Sequence, residues 1–130
     1  MTRRARAASR PEFFNALVRE LIRGVYDHCG PATTVETTDT SAYFVRDGRA
    51  EYEIHVTEAD VVRVCRRIVK KLELAFQYRA AVTRRGGQVL VRLTQFGEPD
   101  EERAFDAGDP GAVAAAGQFV LAHALKPLRG

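Results

Sequence analysis

The chain has 130 residues and a mass of 14.4 kDa, of which 45% are hydrophobic and 28% charged. That suffices for one self-sufficient core, is too short for two, and excludes a disordered or fibrous chain. A net charge of +3 is mild, and no apolar run approaches the roughly 18–20 residues of a bilayer-spanning helix.

The start, MTRRARAASR, holds arginine, alanine and serine without acids and reads as a disordered basic arm over residues 1–9. The same composition suits an organellar transit peptide, so the expected location is intracellular, cytoplasmic or organellar. Ser9 and Glu12 have capping-box spacing, with Pro11 in the first turn. Phe14, Leu17, Val18, Leu21 and Val25 then form an apolar stripe that predicts a helix from about Arg10 to His28. Gly30 and Pro31 stop it.

A β-rich stretch follows. TTVETT and SAYFVR are rich in β-branched and aromatic residues, and Asp47-Gly48 is a strong two-residue hairpin signal. In RAEYEIHV, Tyr52, Ile54 and Val56 alternate with Glu51, Glu53 and His55, so one face is core and the other wet.

Thr57 and Asp60 repeat the capping-box spacing, which predicts a second helix through VVRVCRRIVKKL. Its buried stripe would be Val61, Val62, Cys65, Ile68, Val69 and Leu72. Arg63, Arg66, Arg67, Lys70 and Lys71 fall at i, i+3, i+4, i+7 and i+8 and would share its other side. LELAFQYRAAV contains good helix formers, but its alternation favours a strand. Arg84 to Gly87 would be a four-residue turn, and QVLVRLTQF the returning strand. GEPDEERAFDAGD, residues 97–109, carries six acids against one arginine and reads as an exposed loop that Phe105 could pin. Asp109-Pro110 opens a last helix to about Leu125, with Ala112, Ala115, Ala116, Phe119, Val120 and His123 towards the body.

The expected fold is therefore α+β: one domain over residues 10–126 and a tail at 127–130. An antiparallel sheet of about five strands carries packed helices in the order α-β-β-β-α-β-β-α. The first five elements are similar to the layout of double-stranded-RNA-binding domains, in element order alone. Those domains begin their second helix with a lysine cluster, whereas TEADVV begins with acids. The whole order is similar to the layout of type III secretion chaperones, whose usual acidity this chain lacks. Element order does not carry function across.

Charge is laid out in blocks. Residues 63–96 hold nine Lys/Arg against one acid, while residues 27–62 hold eight acids against two arginines. The basic block points to phosphate contact by Arg63, Arg66, Arg67, Lys70 and Lys71, with Arg84 and Arg85 at the hairpin tip and Arg79 and Arg92 extending the patch. Gln77, Thr83 and Thr94 would be neighbours able to hydrogen-bond phosphate or sugar. The leading expectation is a small non-enzymatic module that binds nucleic acid without sequence preference. The rival is a protein-interaction, assembly or chaperone-like module, a homo-oligomer among its forms, with charge blocks setting orientation. An enzyme would need a pocket lined by His55, Glu53 and Asp60.

His28, Cys29, His55, Cys65 and His123 follow no zinc-site or CxxC spacing, and the glycines form no nucleotide-cradling loop. No metal, cofactor or membrane partner is expected. Cys29 and Cys65 read as reduced thiols.

Overall fold

The computed structural model describes residues 7–69 and 73–126. Its first element is α1 (Arg10–Cys29), capped as the spacing predicts: Ser9 Oγ accepts the Glu12 amide at 3.3 Å and donates to Glu12 Oε1 at 2.9 Å. Gly30, at φ +90°, ends it, its amide donating to the Tyr26 carbonyl. Ahead of the cap, the Ala8 amide donates to the Ala107 carbonyl at 3.2 Å, and Ala7 and Ala8 pack against the core.

Seven strands follow without interruption: β1 (Thr34–Thr37), β2 (Ser41–Arg46), β3 (Arg49–Glu58), β4 (Val61–Val69), β5 (Glu73–Arg85), β6 (Gln88–Thr94) and β7 (Glu101–Asp106). They form one antiparallel sheet in chain order, each strand paired with its neighbours in sequence. The last element is α2 (Ala112–Ala124). The class is α+β, but the sheet has seven strands rather than about five, and its order is α-β-β-β-β-β-β-β-α.

Two segments account for the difference. The stretch expected as a second helix is β4, hydrogen-bonded to β3 on one side and β5 on the other. Thr57 and Asp60 cap nothing. Glu58 pairs with Val61, and Ala59-Asp60 is the turn between them. Pairing on both sides selects the strand, and Val61, Val62 and Val64, whose branched side chains lose freedom in a helix, fit that pleated surface. The second segment is the acidic stretch after Gly97, whose later half pairs with β6 as β7. Phe105 holds it there, buried opposite Val89 with its ring centroid 6.2 Å from that of Phe119.

Smaller corrections concern turns and faces. Arg84 and Arg85 belong to β5, and the tip is the two-residue turn Gly86-Gly87, with Gly86 at φ +60°. Asp47 and Gly48, at φ +52° and +75°, make the other tight hairpin as expected. Gly111 rather than Asp109 stands at the start of α2, with Asp109 Oδ1 accepting the Gly111 amide at 2.8 Å. Ala115 is exposed, while Ala112, Ala116, Gly117, Phe119 and Val120 are buried.

Both helices lie on one face of the sheet. Phe13, Phe14, Leu17, Leu21 and Val25 of α1 share a core with Phe44, Ile54, Val62, Val64, Val82, Val89 and Val91 from five strands. The helices touch through small residues. A Cβ on Gly24 would run into Leu121 Cδ1, so glycine lets that side chain lie directly on α1. Among the described residues the opposite face of the sheet carries no helix. No helix among the described residues is long and apolar enough to cross a membrane.

Candidate functional site: the uncovered face of the sheet

Alternation along the strands sends Val62 and Val64 of β4 to the core, and with them the Arg66 side of the strand. Arg63, Cys65 and Arg67 take the uncovered face. The five cations expected on one helix face are therefore divided. Arg66 reaches the helix side, where its Nη1 donates to the Lys126 carbonyl at 3.2 Å and its guanidinium lies 5.8 Å from the Tyr52 ring centroid. Lys70 and Lys71 lie outside the described residues. Arg84 and Arg85 are exposed at the far end of β5, on opposite sides of the strand. Arg85 lies six positions along the strand from Arg79, roughly 20 Å away.

Register does bring some expected residues together. Ser41, His55, Arg63, Arg79 and Thr94 form one cross-strand row from β2 to β6. Tyr43, Glu53, Cys65 and Gln77 form the next, with Glu36 at its β1 end. Arg92 lies on the same face, opposite Ala81 and Glu102. Its Nη2 meets Asp100 Oδ2 at 2.8 Å, while Arg79 Nη2 meets Glu58 Oε1 at 3.2 Å. Arg67, Glu53 and Glu36 make no ion pair among the described residues.

Arg63 is the unusual member. It stands directly opposite Arg79, and like charges in that position repel. Its Nη1 reaches Gln77 Oε1 at 3.4 Å, and its Nε is buried with no hydrogen-bond partner. Beside it opens a groove of about 860 Å3. Gln77, Arg79 and Thr94 line it with Arg63, and Thr57, Glu58 and the fully exposed Phe96 flank them. His55, Glu53 and Asp60 do not line it.

Cys65, expected on a buried helix stripe, is half-buried on this face between Glu53 and Gln77. Burial pushes its thiol above the ordinary range, Glu53 adds to the rise, and Arg63 and Arg67 oppose it. Cys29 is buried at the end of α1, and burial also raises its thiol, with Glu51 adding. Both are free. Ser41 Oγ and His55 Nδ1 are 2.5 Å apart, but Ser41 is 8% exposed and closes the β1–β2 turn with Thr38. Among the described residues no three His, Cys, Asp or Glu side chains cluster as metal ligands.

Sequence reasoning named Arg63, Arg79, Gln77 and Thr94 but missed Thr57, Glu58 and Phe96. Only register places these beside the arginines. No family model, curated protein or solved structure matches the chain.

Proposed function

We propose that the chain is a non-enzymatic protein-interaction module that self-associates through the uncovered face of its sheet. The observation that supports this is the mixture of charge there: Arg63, Arg67, Arg79 and Arg92 are interleaved with Glu36, Glu53, Glu58 and Glu102. A nucleic-acid backbone favours a surface of one sign, and half of these groups would repel it. The phosphate track expected along a helix has lost its support with that helix. A face holding both signs complements a second copy of itself, because a two-fold axis can set Arg67 of each copy against Glu53 of the other.

The area suffices. Seven strands at about 4.8 Å spacing span roughly 30 Å, and most strands run roughly 20–30 Å. That is on the order of 700 Å2 per copy, near the roughly 800 Å2 that a standard interface buries on each side.

Light scattering across a concentration series tests the proposal. The expected result is a dimer that weakens with salt. Arg67→Glu and Glu53→Lys each reduce association, and mixing the two variants restores it as a heterodimer. A monomer at every concentration, or a dimer indifferent to both variants, overturns it. A monomer that binds single-stranded DNA with a steep salt slope transfers the function to nucleic acid.

A further inference from the structure

We infer that the groove beside Arg63 is a binding site for a small organic monoanion, a carboxylate carrying an apolar or aromatic body. The groove lies on the face that self-association would cover, so a ligand there needs no second copy and would compete with one. The Nε and one terminal nitrogen of a guanidinium form an edge that matches the two oxygens of a carboxylate. In Arg63, Nη1 is engaged by Gln77, whereas Nε is buried and lacks a partner. A carboxylate placed on that edge satisfies the orphaned donor. It also relieves the repulsion between Arg63 and Arg79, which face each other across β4 and β5.

The charge balance selects a monoanion. Glu58 already neutralises Arg79 at 3.2 Å, leaving one uncompensated positive charge, that of Arg63. The second charge of a phosphate would fall against Glu58. Thr94, in register with Arg79, adds a hydroxyl donor to the lining. Away from the arginines, the fully exposed ring of Phe96 offers an apolar wall. The volume of about 860 Å3 falls within the range of small-molecule sites.

The probe is 3-phenylpropionate, with 3-phenylpropionamide, acetate and inorganic phosphate as comparisons. Titration is followed by calorimetry and by the Nε–Hε resonance of Arg63 in a 15N-resolved NMR spectrum. The acid shifts that resonance and saturates, while the amide, acetate and phosphate each bind at least tenfold more weakly. Arg63→Gln and Arg63→Lys both lose at least tenfold in affinity, the lysine because it keeps the charge but not the fork. Phe96→Ala, at an exposed position that does not affect folding, loses about fivefold. A second copy on this face would compete with the acid, so the titration is repeated on Arg67→Glu, which disables the self-association proposed above. Binding there is at least as tight as in the unaltered chain and independent of protein concentration, so the two proposals fail separately. Equal binding of the amide or of phosphate, or an unmoved Arg63 resonance at saturation, overturns the inference.

Discussion

The two faces of the sheet are built from the same strands yet obey different rules. On the helix side, β4, β5 and β6 present Val62, Val64, Ala80, Val82, Val89 and Val91, all buried in one core. On the other side the same strands present Arg63, Arg67, Gln77, Arg79, Arg92 and Thr94. A side chain surrounded by apolar neighbours contributes through the area it removes from water, about 25 cal/mol per Å2. An exposed charge contributes little to stability and is available to a partner. Stability therefore resides on one face and recognition on the other, although the residues alternate along the chain.

The largest test of this contrast is Leu17→Ala, which opens a cavity at the centre of the covered face and costs about 3 kcal/mol in urea denaturation. Gly24→Ala follows at about 1 kcal/mol, because the new Cβ meets Leu121 Cδ1 and forces that side chain to shift. Adding Leu121→Ala returns part of that loss, so the double variant is more stable than the sum of the singles predicts.

A smaller, pH-dependent loss comes from the thiols. Burial raises Cys29 and Cys65 above the ordinary thiol value of 9.0. The folded chain then holds protons that the unfolded chain has released. Stability is full below about pH 9 and falls as pH rises beyond it. Cys29→Ala reduces the fall, measured as the melting temperature across an alkaline series.

Glu101→Gln weakens the 2.6 Å contact of Glu101 with His123, which ties β7 to α2, by about 0.5 kcal/mol because both side chains are partly exposed. Arg67→Gln, on the uncovered face, changes stability by less than about 0.5 kcal/mol while weakening self-association. A large destabilisation by Arg67→Gln would erase the division between the faces.

Local sequence determined those elements whose signals are short-range: the Ser9–Glu12 cap, the apolar stripe of α1, the Asp47-Gly48 hairpin and the alternation of β3 and β5. Each depends on interactions within a few residues, so the chain alone carries them. Helix against strand at Val61–Val69 was not decided in that way. Valines and arginines there satisfy a helical spacing and a strand alternation equally well, and pairing on both sides with β3 and β5 selects the strand. That selection sends Arg66 to the helix side and leaves Arg63 and Arg67 on the other. The same holds for β7, an acidic segment held against β6 by its pairing and by the burial of Phe105. The charges were legible from the start; which of them stand side by side is a matter of register, and register exists only once distant strands have met.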